Sequence, residues 1–538
     1  MTRAKPITNA LEAPTLALAE FASRLGPRDL PEGVVERLRA CLLDTIGCGL
    51  FGSTQPWSCT VNEWIRRQGG AAQASLWTTD FRGPASSVAL GTGTMAHAFD
   101  VDDYHNAKVH PGAAVIPAAM AVAEARDVDG GRALAAIAAG YEVMIRVSLA
   151  AGPGPARMRG WHLTGVCGTL GAAAAAANLI GLDVDATASA LGMAGTQSAG
   201  LWAFTADGSM SKRFHPGRSA QSGVMAAELA EMGYEGPRKI LEAEDGGLLA
   251  AVSPSPDPRV LVEGLGSRFH AGETAIKPYS ACGSLHSAVD GVLRLTREHR
   301  IAPADVEEMV LRTSSVVVRQ CGFPFEPTSA LQGQMSAQYV LAVALADGRC
   351  LPAQFAQARM HDPALLSLAG RVRVIQDPEI EVEYPGKFSA IVEILLTDGR
   401  PPRSITREAR LPSRSAWRRC ERSSWRCRRW CTPGSGFRPS WIVWSDLRPY
   451  RPCASWQDCW RHEHRRRAGS LCGGGRAGGA AGGGGPRRAP GSAGHPGCGH
   501  RGIGRPGCGR RPEGLSGLRW AGAQSGPRGR RDGGRVRR

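Results

Sequence analysis

Residues 163–182, LTGVCGTLGAAAAAANLIGL, contain no charged side chain. A run of this length fits either a bilayer or a protein interior. It is mostly Ala, Gly and Thr, too weakly apolar for a membrane span, so a buried helix is expected. The surrounding sequence has the same character. Residues 14–26 and 31–52 read as amphipathic helices, the second with Val34, Leu38, Leu42 and Ile46 at helical spacing. Further helices are expected near 84–99, 112–126, 130–151, 164–181, 184–197, 217–232 and 237–243. The clusters DVDGG, GPGP and GYEGP separate several of them. One short strand is expected at 71–79.

The pattern changes near residue 260. VEEMVLRTSSVVV (306–318), RVRVIQDPEIEVEY (371–384) and FSAIVEILLTDG (388–399) are rich in Val and Ile and read as strands. Helices are expected among them at about 284–298 and 331–346. The expected fold is mainly α, a large helical domain over 1–260 with a smaller α+β second domain over 261–400. A cleft between the two is the natural place for a small ligand.

Composition separates off the remainder. The 538-residue chain has a net charge of +17, but residues 401–538 alone carry +24, with 31 Arg and no Lys. Residues 1–400 therefore carry −7. The basic pI belongs to a tail that would be expected to stay irregular or disordered. An Arg/Gly-rich segment of this kind can bind nucleic acid through charge and stacking. Its eight Trp, however, are foreign to natural disordered tails, which are poor in aromatics. Arg, Gly, Pro, Ala and Trp without Lys is what out-of-frame translation of GC-rich DNA produces. That reading is preferred, and a nucleic-acid partner is not expected. Before residue 401 the seven cysteines are widely spaced with no CxxC, so no zinc ribbon is indicated. The N-terminus lacks the apolar core of a signal peptide. These features suggest a cytoplasmic protein without a membrane partner.

The chemistry concentrates in residues 91–125, GTGTMAHAFDVDDYHNAKVHPGAAVIPAAMAVAEA. His97, Asp100, Asp102, Asp103, Tyr104, His105, Lys108 and His110 lie between two small, apolar, helix-competent runs. Pro84 and Pro111 mark the expected helix starts. Such a loop is either a solvated turn or a proton-transfer site. A divalent metal is a third use of the same residues. Other polar groups precede helices: Trp161-His162, Lys212-Arg213-Phe214-His215, Lys277-Pro278-Tyr279 and Met335-Ser336-Ala337-Gln338-Tyr339. Helix starts attract anions, so Lys and Arg there suit carboxylates.

In this order, the motifs AHAFDVDDYHNAKVHPG, GWHLTGVCGTLGAAAAAA, MSKRFHPGRSAQSGVMAAELA, IKPYSACGSLHSAVD and QMSAQYVLAVALADG resemble the MmgE/PrpD family over roughly residues 14–400. That family includes 2-methylcitrate dehydratases, cis-aconitate decarboxylases and iminodisuccinate epimerases. The resemblance implies a helical domain with an α+β lid, no cofactor or metal, and a homodimer. It implies Asp100, His110, His162 and Tyr339 as catalytic residues. Lys212, Arg213, Lys277, Tyr104, Cys282 and His286 become the candidate contacts of a small di- or tricarboxylate. The sequence departs from the decarboxylase branch, which carries His at the position of Cys282 and Thr at that of Tyr104. It looks more like generic bacterial members. The expected activity is that of a hydro-lyase similar to 2-methylcitrate dehydratase. The alternatives are an epimerase of an imino- or amino-dicarboxylate, or a non-catalytic protein with a nucleic-acid-binding tail. In the family the chain after the lid strands completes the helical domain, and nothing after about residue 411 here resembles those helices.

Overall fold

Small side chains let helix backbones approach closely, and the first half of the chain is built on that. The computed structural model describes residues 11–384, 386–399 and 403–407. The helices are α1 (Pro14–Arg24), α2 (Glu32–Gly52), α3 (Pro56–Gln68), α4 (Ala85–Ala96), α5 (Pro111–Ala125), α6 (Gly130–Ala151), α7 (Pro153–Met158), α8 (Leu163–Ile180), α9 (Val184–Thr196), α10 (Ser211–Glu231) and α11 (Leu248–Val252). A two-stranded pair, β1 (Ala74–Ser75) and β2 (Arg82–Gly83), lies between α3 and α4.

Helix α8 is the uncharged run, and most of it is buried inside the protein, as is most of α6. Both are long and apolar enough to cross a membrane. Here they are core helices packed on each other. At their crossing, a methyl group added to Gly140 would stand 2.7 Å from the Gly171 carbonyl oxygen. Where α4 meets α10, one added to Gly93 would stand 2.8 Å from the Gly217 Cα. Asp129 starts α6 by accepting the Gly131 and Arg132 N–H groups, the capping that Asp side chains provide.

The rest forms a second hydrophobic core around a four-stranded sheet. Its helices are α12 (His286–His299), α13 (Ser315–Cys321), α14 (Ala330–Met335), α15 (Ala337–Asp347), α16 (Gln357–Met360), α17 (Pro363–Ala369) and α18 (Pro378–Glu383). The strands β3 (Val306–Thr313), β4 (Val372–Gln376), β5 (Ala390–Leu396) and β6 (Arg403–Arg407) are ordered β4-β3-β5-β6. The β3/β4 pair is parallel, with Met309 opposite Val372; the other pairs are antiparallel, with Leu311 opposite Val392 and Val392 opposite Ile405. Helix α12 lies on the sheet at Gly291, where an added methyl would meet Val392 and Ile405.

The mainly α fold with an α+β second part is the one the sequence indicates. Several local expectations differ. The chain at 56–68 is helix α3, where no element was expected. Residues 237–243 form turns. Two expected long strands each break into strand and helix: 306–318 into β3 and α13, 371–384 into β4 and α18. In the second case Asp377 accepts the Glu379 and Ile380 N–H groups just before Pro378, a capped start that overrides the Val/Ile content. The sheet's last strand, β6, lies past residue 400. The reading of the Arg-rich tail after it as irregular lies outside the described residues.

Candidate active site

The loop from His97 to His110 joins α4 to α5 and folds over their ends. Asp100 and Lys108 both take left-handed backbone angles, φ +54° and +60°. Asp tolerates this better than most residues, and the conformation is a local strain held by the surroundings. It aims the Asp100 carboxylate inward. Lys277 Nζ donates to Asp100 Oδ1 at 2.6 Å, and Lys212 Nζ stands 3.2 Å from the same oxygen. Lys277 also donates to the Asp100 and Ala281 carbonyls. Asp100 Oδ2 is buried with no partner among the described residues. Burial would raise this carboxyl's pKa, but Lys212, Lys277 and His110 outweigh it and hold it well below the usual range.

Beside it runs a second array. His97, fully buried at the end of α4, places Nδ1 2.8 Å from Asp102 Oδ2 and Nε2 3.0 Å from Lys212 Nζ. The ammonium has only protons to offer, so Nε2 accepts from Lys212 and Nδ1–H donates to Asp102. Burial brings the His97 pKa down to about 3, and the imidazole is neutral. Burial brings Lys212 down to about 8 despite the Asp100 carboxylate. Lys277 goes the other way: Asp100 and Asp102 outweigh its burial and raise it. His110 donates Nδ1–H to the Asp103 carbonyl at 2.9 Å, with Asp102 Oδ2 at 3.2 Å.

His162, just before α8, meets the His215 ring Nδ1 to Nδ1 at 2.9 Å, so one ring donates to the other. Burial first, then His215 and Lys212, keep the His162 pKa well below its ordinary value. Its ring packs edge-on against Trp202 and Phe204. Asp103 serves to hold the loop in place: it accepts the Gly112 N–H at the start of α5 and the Tyr141 hydroxyl.

Asp100, Tyr104, Lys108, His110, His162, Lys212 and Cys282 line one cavity of about 50 Å³, together with Trp202, Ser284 and Gln320. At roughly 10–15 Å³ per water it has room for a few water molecules. A larger cavity of about 680 Å³, lined by Gly152, Pro155, Arg268, His270 and Tyr384 among others, holds none of the Asp100 array.

Three expected site residues fall elsewhere. Tyr339 is fully buried in the second core between Phe325 and Phe355, and its hydroxyl donates to the Gln354 carbonyl. Arg213 does not line the cavity: it donates to Gln334 Oε1 at 2.6 Å and lies over the Trp57 ring. His286 stands behind Tyr104 and Tyr279, 3.1 Å from the Ala281 carbonyl. Lys277 reaches the site through Asp100 rather than by lining the cavity. The sequence motifs contained His97, Asp102, Lys108 and His215 without assigning them a role. Ser284 also lay in a quoted motif without a role, whereas nothing local marked Gln320 or Trp202, which arrive from distant segments.

Two groups of residues could hold a cation by proximity, His97/Asp102/His110 and His105/His270/Glu273. In the first, Lys212 already occupies His97 Nε2. In the second, His105 Nδ1 accepts the Ala107 N–H, which puts the ring proton on Nε2, the nitrogen facing Glu273. Both donor sets are committed to hydrogen bonds.

Comparison with known proteins places the chain in a family. Residues 16–261 match the MmgE/PrpD N-terminal domain and residues 279–415 the MmgE/PrpD C-terminal domain. A cis-aconitate decarboxylase of Aspergillus terreus (strain NIH 2624) is 30% identical over 421 residues, 74% of this chain and 86% of that one. The human cis-aconitate decarboxylase is 28% identical over 368 residues, 66% of this chain and 73% of that one. The mouse protein of that name is 27% identical over 400 residues, 72% and 81% of the two chains. These relatives are fungal and mammalian. With both domains matched in order across the two cores that carry the cavity, the chain belongs to the MmgE/PrpD family.

Proposed function

We propose that this protein is a lyase that moves protons at a carbon beside a carboxylate of a small di- or tricarboxylate. The observation that carries this reading is Asp100, clamped between two buried ammonium groups with one oxygen unpartnered, in a cavity shared with two histidines. A proton next to a carboxylate is weakly acidic, so its removal needs a positioned base and a stabilised enolate. His162 is held neutral and is the base. Lys212 supplies the positive charge that binds a carboxylate and stabilises the enediolate as the C–H bond breaks, and Lys277 adds its charge through Asp100. Asp100 keeps the two ammoniums in place, and His110 returns a proton to the leaving group. A di- or tricarboxylate is larger than the cavity, so its entry parts the walls.

The parts support loss of a hydroxyl or of carbon dioxide. The curated relatives are named for decarboxylation, which supports a carboxylate lyase. Cys282 and Tyr104 in place of His and Thr favour the hydro-lyase reaction, similar to 2-methylcitrate dehydratase. The epimerase of an imino- or amino-dicarboxylate uses the same base with no leaving group. The test is a panel: cis-aconitate with carbon dioxide release, 2-methylcitrate with the absorbance of the new double bond, and iminodisuccinate with loss of optical activity. Turnover abolished by His162→Ala is the expected result. A folded chain inert toward all three removes the reading.

We further read the protein as a cytoplasmic homodimer working without metal or organic cofactor, which sedimentation and metal analysis check. Residues 416–538 lie outside both family matches, and we read them as out-of-frame translation. Sequencing codons 395–415 and translating all frames tests this. An amphipathic continuation in another frame is expected. If no other frame is open, the tail is native, and salt-sensitive nucleic-acid binding lost on truncation becomes the reading to test.

A further inference from the structure

The proton chemistry above uses the histidine side of the cavity and leaves its other side unexplained. There the second core contributes Cys282, which lines the cavity and is 7% exposed. Its sulfur is the end of a directed chain of hydrogen bonds. Lys108 Nζ donates to Gln320 Oε1 at 3.3 Å. That fixes the amide's orientation and turns its NH2 group toward the sulfur, where Nε2 donates to Cys282 Sγ at 2.8 Å. A sulfur that accepts an amide donor and feels the charge of two ammoniums, Lys108 and Lys277, is built to carry negative charge. Cys321, by contrast, is pushed up by burial and stays a thiol. The buried Asp100 Oδ2 without a partner lines the same cavity, so a ligand placed there lies within the reach of both groups.

We propose that Cys282 is a second proton-transfer residue of this site, its thiolate exchanging a proton with the substrate carbon from the second core while His162 does so from the start of α8. The proposal rests on the lyase reading and deepens it. The step is balanced: the C–H bond breaks, an S–H bond forms, and the electron pair stays on carbon as the enediolate held by Lys212. The pair then expels the β-hydroxyl, which leaves as water with a proton from His110. The Cys282 proton then returns to solvent, and solvent restores the His110 proton, which closes the cycle. If His162 instead reprotonates the same carbon, the centre inverts.

The charges and titrating groups that bear on the sulfur are Lys108 and Asp100 from the loop, Lys277, Arg157 of α7, and the Tyr104 and Tyr384 hydroxyls. The neighbouring Cys321 thiol is the largest influence and lowers the Cys282 pKa; burial and Asp100 oppose it, Lys108 and Lys277 assist, and it falls to about 5.

The experiment uses the full chain with the carboxylate that the panel identifies. Cys282→Ser keeps a hydrogen-bonding group of similar size but is not ionised at neutral pH. It is expected to lower kcat at least ~100-fold with KM changed only a few-fold, the size of a lost acid–base group. It should also remove the thiolate ultraviolet absorbance that the wild type gains near pH 5, and the acid limb of the kcat profile at the same pH. Gln320→Leu, which removes the donor and not the sulfur, should shift both to higher pH. Cys282→Ser with wild-type kcat and pH profile, while His162→Ala is inert, overturns the proposal and leaves the lyase reading standing. So does a Cys282→Ser effect confined to KM. A wild type inert toward every carboxylate removes the lyase reading and this proposal with it.

Discussion

The two cores of this protein are packed in different ways. In the first, Ala and Gly let backbones touch: Gly93 against Gly217, Gly140 against Gly171. In the second, a sheet of Val, Ile, Leu and Met packs against α12 and α15 mostly through larger side chains, with Gly291 of α12 the exception. The difference shows where precision is needed. The His97–His110 loop hangs between α4 and α5, so any spreading of those helices moves Asp100 relative to Lys212 on α10. Close packing of the interior transmits such shifts. The second core delivers Lys277, Cys282 and Gln320 from loops and one short helix.

The largest expected effect tests the contact between the two halves. Asp100→Asn removes the charge that Lys212 and Lys277 share. It should lower kcat/KM about 1,000-fold, within the range for a lost acid–base group. A loss under tenfold would mean the ammonium pair holds without it. The packing contrast itself is tested by two methyl-scale changes. Gly93→Ala is expected to cost ~1–3 kcal/mol by overpacking against backbone that cannot move aside. Ile394→Val, which trims a fully buried side chain in the second core, is expected to cost ~0.5–1.5 kcal/mol. Urea midpoints measure both, and only the first should also reduce turnover. Reversed costs would erase the distinction.

Tyr339→Phe sharpens the boundary of the site. It leaves the Gln354 carbonyl without its donor and should cost ~1–3 kcal/mol of stability with kcat/KM unchanged. A large fall in kcat would return Tyr339 to the catalytic group. The smallest expected effect is in pH dependence. Burial, aided by Lys277, lowers the His286 pKa to about 3. Between pH 6.5 and 3 the unfolded chain takes up a proton there that the folded chain refuses. The stability it contributes is complete above pH 6.5 and is lost as pH falls toward 3. His286→Asn should flatten that slope by up to one proton in a thermal-melt series. Asp103 opposes this: burial raises it to about 6, so its contribution is present below its unfolded pKa of ~3.8 and lost as pH rises through 6. Asp103→Asn should steepen the same slope.

The sequence by itself determined most of the helical half, because small-residue runs bounded by Gly and Pro have few other ways to fold; it left α3 unmarked and read 237–243 as a helix. Asp100, His110, His162 and Lys212 sit at helix boundaries within short motifs, and they converge on one cavity because those helices pack together. Tertiary structure decided the rest. Strand-like Val and Ile did not settle 306–318 or 371–384, since local capping at Asp377 and the sheet's length set the breaks. Tyr339 and Arg213 look like site residues in sequence, yet the second core and Gln334 claim them. His97 became part of a relay, and Gln320 a donor to Cys282, only through partners 115 and 38 residues away along the chain. Side-chain chemistry can be read one residue at a time, but a hydrogen bond needs two ends, and the chain's fold alone brings the second one into place.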